Sequence, residues 1–297
     1  MISRVTQNLL VRGMLTSVSD LQRRLGRTQL EISSGKRLHE AADDPSGTAQ
    51  LNRLRAELAD LGALKDGVSF GVTVLAAEDA ALEEALSILT RARELAAQHA
   101  NDLSSPSARQ QGALEVEELE RGLLTLANTR VAGRYVFAGL ATGDAPFTQY
   151  DDPSFSPATA YTGSADPFSI RTGPDDVTTR LTTPGDQVFG DTLAALDQLR
   201  TTLEAGNPPT SELDSLAAAA DGISAERASI GGRARRLEDR LSEMATGVKD
   251  TKTIIGDVED ADLAEVVTEL TQIQTALNAT LQSAQVLQTS ILDYFRL

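Results

Sequence analysis

His39 and Glu40 stand four residues ahead of Asp43 and Asp44 in the stretch SSGKRLHEAADDPSG, residues 33–47. Imidazole and carboxylate at this spacing are the elements of a helical zinc site. In HExxH two histidines one turn apart ligate the metal and the glutamate serves as base. Here Asp43 takes the place of the second histidine, and Pro45 follows too closely for the helix to continue through the motif. A catalytic zinc needs a third protein ligand, and the other histidine in the chain is His99. A second acidic cluster, Asp257-Val258-Glu259-Asp260-Ala261-Asp262, has the density of a calcium loop. Counted from Asp257, however, it has Asp262 at the glycine position and Thr268 at the bidentate glutamate position. Gly231-Gly232 lacks the Lys-Ser/Thr that completes a phosphate loop, and the charges that follow it, Arg233, Arg235, Arg236, Glu238, Asp239 and Arg240, read as a solvated helical face. With no cysteine and two histidines, a nucleophilic triad would need a serine or threonine beside His39 or His99. The expectation is a protein that is not an enzyme and carries no metal or cofactor. The two acidic clusters then read as caps and joints between helices.

Composition narrows the class. A net charge of −16 over 297 residues disfavours nucleic-acid binding, which needs a basic surface. No run approaches the ~18–20 apolar residues that cross a bilayer, so membrane insertion is not expected. The first residues lack the apolar core and small-residue cleavage site of a secretory signal. The absence of cysteine suits a reducing cytosol, and equally a protein that passes outside without oxidative folding.

Two seams at the chain ends position the joints. Val11, Met14, Val18, Leu21, Leu25, Thr28 and Ile32 step three and four residues apart, the spacing of a coiled-coil stripe. Ser33-Ser34-Gly35 ends that helix, because Gly35 can adopt the left-handed conformation of a C-terminal cap. Asp44 and Pro45 start the next, as cap and first helical residue. Its seam runs from Leu51 through Leu89 in constant phase, interrupted at Lys65, Asp79 and Arg93, and predicts one helix to about His99. Ser105-Pro106 opens a third, to about Arg130. From the other end, Leu263, Val266, Leu270, Ile273, Leu277, Thr280, Ala284, Leu287, Ile291 and Tyr294 form a matching stripe. An inner seam, Leu213 to Val248, precedes it and breaks at Arg227; Gly256 and the acids after it separate the two. Each terminal helix, of roughly 30 residues, would be ~45 Å long.

The middle differs in kind. Residues 134–190 contain eight of the eleven aromatics and six of the ten prolines, but two leucines, Leu140 and Leu181. Alternation at Tyr135/Phe137 and Phe168/Ile170 predicts short strands. The fold class is therefore mainly α with a β-rich insert. The N- and C-terminal segments make a long antiparallel helical bundle or coiled coil around a small central β domain. The divisions expected are 1–43, paired with 257–297; 44–133 and 191–256 as inner rod helices; and 134–190 as outer domain. The terminal stripes are narrow and carry Thr28, Thr280 and Ala284, so an isolated pair is poorly satisfied. They read as elements for assembly with further copies of the chain.

The stretch ISSGKRLHEAADDPSGTAQ resembles the N-terminal signature of bacterial flagellins and their relatives. RVTQNLL, DDPSGTAQLNRLRAEL and ANTRVAGRYVFAGLATGDAPF are similar more narrowly to the hook–filament junction branch, the third hook-associated proteins, and the segment from Val258 to Leu297 is similar to the family's C-terminal assembly helix. Pro45 stands where flagellins usually have alanine, and Gly133–Gly139 replaces their usual Asn-Gly turn. The resemblance implies a structural, extracellular component of the flagellum. It would join the hook-associated zone to the filament and be exported through the flagellar type III apparatus without a cleaved signal peptide. It implies as partners sister copies in a ring or tube, flagellin, a neighbouring hook-associated protein, and an export chaperone covering about Leu263–Leu297. A flagellin proper, and a cytosolic coiled-coil adaptor, are the alternatives.

Overall fold

The computed structural model describes residues 2–101, 104–151, 156, 159–173 and 177–294, without the side chains of 2–8, 10, 11 and 287–294. Among the described residues there are six helices: α1 (Ile2–Ser34), α2 (Pro45–His99), α3 (Pro106–Ala127), α4 (Gly185–Glu204), α5 (Glu212–Glu259) and α6 (Leu263–Tyr294). Two antiparallel hairpins lie between α3 and α4: β1 (Arg130–Val131) with β2 (Arg134–Tyr135), and β3 (Ser169–Arg171) with β4 (Thr178–Arg180). The chain divides into two compact units, one of residues 1–59 and 248–297, the other of residues 60–247.

The core of the second unit is written in heptads. On α2, Val68, Leu75, Leu82 and Leu89 recur every seven residues and are fully buried. On α5, Leu216, Ile223, Ile230, Leu237 and Met244 do the same. Each such side chain withdrawn from water contributes about 1.5–3 kcal/mol. The glycines of α2 do not break it. At Gly71 a Cβ would lie 2.6 Å from Ile170 Cδ1 and 3.1 Å from Leu237 Cδ1, so this glycine lets the second hairpin approach the helix axis. Arg233, which the sequence suggested would be solvated, is buried between α2 and α5, whereas Arg235 and Arg236 are exposed.

α3 packs on α4. Its N-terminus is capped by Ser105, whose Oγ accepts from the Ala108 amide, with Pro106 at the first helical position. Arg109 is buried and donates to three carbonyls, those of His99, Asn101 and Gly206. It thereby ties the α2–α3 turn to the residue that closes α4. α3 stops at Ala127, before Arg130, because Asn128 turns its amide side chain onto both the N–H and the C=O of Phe147. α4 begins at Gly185, before Asp191, because Val188 and Phe189 belong to the core. Phe189 meets Phe137 edge to face at 4.8 Å between ring centroids, and Phe147 at 6.0 Å. The insert is thus an aromatic cluster pinned by two very short hairpins, with less strand than its alternation suggested. Phe137 lies beyond β2, where it anchors the cluster.

Candidate assembly surface: the terminal helix pair and its joint

α1 ends where its sequence demands. The amide of Gly35 bonds to the carbonyl of Glu31, and its φ of +70° turns the chain out of the helix. Asp43 then folds the turn by accepting from the amides of His39 and Glu40. Those two bonds hold its carboxyl below the usual carboxylate range, and Arg27 at 2.9 Å acts in the same direction. Asp44 caps α2 through the Gly47 amide, and α2 starts at Pro45. His39 bonds to Ser34 Oγ through Nε2 at 2.7 Å. Among the described residues no three histidine or acidic side chains converge as a metal site would require.

The second joint is clasped to the first. Lys36 and Asp260 form an antiparallel bridge; the Arg37 amide donates to the Glu259 carbonyl, and the Ala261 amide to the Gly35 carbonyl. Glu259 is buried with one carboxylate oxygen on Lys36 Nζ at 2.5 Å and the other on Arg55 at 2.9 Å. The Lys36 bond first, and the Arg55 bond after it, hold this carboxyl below its ordinary range against the opposing effect of burial. Gly256 is not the break expected from sequence. α5 runs through it to Glu259, with the Asp260 amide still bonded to the Gly256 carbonyl, and the turn falls at Asp260–Asp262. Asp262 then caps α6 through the amides of Ala264 and Glu265.

From this clasp α1 and α6 run back antiparallel along one another, with Arg24 paired to Glu269 at 2.6 Å. Val266 and Ile273 are buried, and so is Thr28, its hydroxyl returned to the Arg24 carbonyl. Val18, Leu21, Leu25, Ile32, Leu270 and Leu277 are half-buried. Leu263, expected in the seam, is 52% exposed. It falls in the first turn beside the joint, which offers backbone and charge rather than an apolar face. Val11, Leu287 and Ile291 lie outside the described side chains. Near the joint the helices leave a cleft of about 420 Å³ bordered by Arg24, Arg27, Glu31, Arg37, Glu265 and Glu269. Beyond the seam Leu15, Leu30, Val267, Leu281 and Val286 face solvent. The contrast with the fully enclosed heptads of α2 and α5 is direct: here the apolar stripe is only half covered.

The sequence reading did not pick out Glu259, Lys36 and Arg55 as a unit. The signal available was a lone glutamate three residues after Gly256 and a basic residue on either side of the Asp-Asp-Pro turn.

Comparison with known proteins places this geometry. Residues 5–142 match the bacterial flagellin N-terminal helical region and residues 213–295 the bacterial flagellin C-terminal helical region. The chain belongs to the bacterial flagellin family. Flagellin FlaB1 of Treponema pallidum is 25% identical over 293 residues, covering 93% of this chain and 96% of its own. A solved structure of a flagellar hook-associated protein from Vibrio parahaemolyticus covers 73% of this chain and 100% of its own, at a TM-score of 0.64 and 17% identity. The flagellar junction protein from Legionella pneumophila covers 72% and 100%, at 0.55 and 14%. As a flagellin-family subunit the chain is a structural, non-enzymatic component of the extracellular flagellum and works within a polymer. The cytosolic adaptor reading is set aside by that membership.

Proposed function

We propose that this subunit joins the hook-associated zone to the flagellin filament. The observation carrying the proposal is the small insert: one aromatic cluster between α3 and α4, entered through Gly133–Gly139. The Vibrio and Legionella chains align with this one over their full length, and the latter is a flagellar junction protein. In this reading α1 and α6 are the surface on which sister copies close into a ring or tube. One end of that ring meets a neighbouring hook-associated protein, and the other receives flagellin. The seam residues from Val11 to Ile32 and from Leu263 to Ile291 become covered in the assembly, with Gly35, Asp43, Asp44 and Pro45 as the joint.

Immunogold labelling of intact cells tests this. A single mark at the base of each filament is expected, together with filamentless cells that shed flagellin when the gene is deleted. Labelling along the filament would overturn it in favour of a flagellin proper, the reading supported by the end-to-end similarity to the Treponema flagellin.

The half-covered α6 also suits an export chaperone, which would hide Leu263, Val267, Leu281 and Val286 before assembly. Export without a cleaved leader belongs to the same proposal, and N-terminal sequencing of the flagellum-bound protein, starting within the first residues, tests it.

A further inference from the structure

Two glutamates in the second unit face a single arginine. Arg233 of α5 gives its Nη2 to Glu226 Oε1 at 2.7 Å and to Thr183 Oγ1 at 3.2 Å. Thr183 Oγ1 also donates to Glu226 at 2.5 Å and receives Arg180 of β4 at 3.0 Å. Glu78 of α2 is entirely enclosed. Its Oε1 accepts the Thr183 amide at 3.3 Å, but Oε2 has no hydrogen-bond partner and lies 3.9 Å from Arg233. The charged groups around Glu78 are therefore Arg233 and Glu226 from α5 and Arg180 from the hairpin. Glu226 and Thr183 both take Nη2 of Arg233, while its buried Nε, like Glu78 Oε2, has no hydrogen-bond partner.

We propose that Glu78 is a proton-operated latch: as the neutral acid it stays enclosed beneath the Thr182–Thr183 turn, through which the insert returns to α4, and on losing its proton it reaches water by opening that turn, a gain in solvation that outweighs its stronger bond to the Thr183 amide. An enclosed carboxylate that no hydrogen bond links to its counter-charges, Arg233 at 3.9 Å and Arg180, is costly, and an enclosed neutral acid is less so. Burial pushes the Glu78 carboxyl up to about 8, with Arg233 and the Thr183 amide opposing. The sign follows. An acid whose folded pKa lies above its unfolded value strengthens the folded form at low pH, and that gain is lost as pH rises through the folded value. The turn is therefore closed in neutral and acidic media and opens in alkali. A part of the extracellular flagellum meets the pH of the medium directly, and the latch makes attachment of the insert depend on it.

Hydrogen exchange on the full chain tests the latch. The protection of the Thr183 amide, corrected for intrinsic exchange, should fall more than about tenfold between pH 7 and 9.5, at up to tenfold per pH unit above the folded value. In Glu78→Gln, a neutral isostere, it should stay flat. Wild-type protection that does not change, or a fall of the same size in Glu78→Gln, overturns the proposal. Should Glu78→Gln not fold, the Glu120→Gln chain carries the test, since it removes the other raised acid. It should show the infrared carbonyl absorption of a protonated carboxylic acid at pH 7 that disappears by pH 9.5, and its absence at pH 7 overturns the proposal.

Discussion

Arg227 and Asp79 hold one another through two hydrogen bonds, Nε to Oδ1 at 2.8 Å and Nη2 to Oδ2 at 3.1 Å. Each is the residue that interrupts its own apolar seam: Asp79 between Val72 and Leu86 of α2, Arg227 between Ala220 and Ala234 of α5. The two interruptions meet, so they fix how α2 slides along α5, a use of polar seam residues known from coiled coils. A double-mutant cycle with Arg227→Leu and Asp79→Leu should give a coupling of about 0.5–1 kcal/mol by denaturant unfolding, as both groups are partly exposed. Each single change should cost more than the pair together. Additive costs would remove the register role.

Glu259 should behave as the pin of both joints. Glu259→Ala should loosen the α1–α6 pair, seen as faster tryptic cleavage in residues 12–34, while the reversed pair Lys36→Glu with Glu259→Lys should recover part of the loss. The carboxyl is held below its ordinary range, so its contribution is present above the unfolded pKa and is lost as pH falls through the lower folded value. Joint protection should accordingly decline in acid in the wild type and decline less in Glu259→Gln, where the loss that remains is that of Asp43, also held below its ordinary range.

Gly35→Pro should block assembly, because proline fixes φ near −65° where the chain needs +70°. Pro45→Gly should weaken it more mildly, through a looser start to α2. Reconstitution onto isolated hooks, scored by electron microscopy, reads both effects, and circular dichroism of the residue 60–247 unit within each full chain should be unchanged.

The glycines of α2 should divide by surroundings. Nothing lies within 4 Å of a Cβ at Gly67, so Gly67→Ala should stabilise by up to about 1 kcal/mol. Gly71→Leu should instead destabilise by about 1–3 kcal/mol, since Ile170 and Leu237 already occupy that space. Thermal melts of the two variants should move in opposite directions.

The half-covered seam should show in dilute solution. Limited proteolysis of the free subunit is expected to trim both ends and leave a core near residues 40–255, and assembled protein should resist. Ends that survive equally in the free subunit would argue that α1 and α6 satisfy one another without further copies.

What was legible in the sequence follows from how local each signal is. Leu75, Leu82 and Leu89 announced α2 because a heptad repeats its message many times, and Gly35, Asp44 and Pro45 announced a joint because capping acts within a few residues. Gly256 misled because helix propensity is a weak prior, worth about 1 kcal/mol against a helix already propagating through its neighbours. The insert showed its composition but not its architecture, since Phe137, Phe147 and Phe189 find one another across turns that leave little periodic trace. Glu78 was silent, Glu259 showed only as one acid in a cluster, and Arg233 read as solvated. A charge in a sequence does not say whether it will be solvated, and only the meeting of distant segments encloses it.

The corner built on Arg109 differs from these carboxylate clamps in one respect. Its acceptors are three peptide carbonyls, which carry no proton to gain or lose, and guanidinium stays cationic throughout the range in which proteins fold. Acid that neutralises the partner of Lys36, and alkali that ionises Glu78, leave this fastening untouched. The bend linking α2, α3 and the end of α4 is thus the hinge-pin that neither extreme of the surrounding medium can draw.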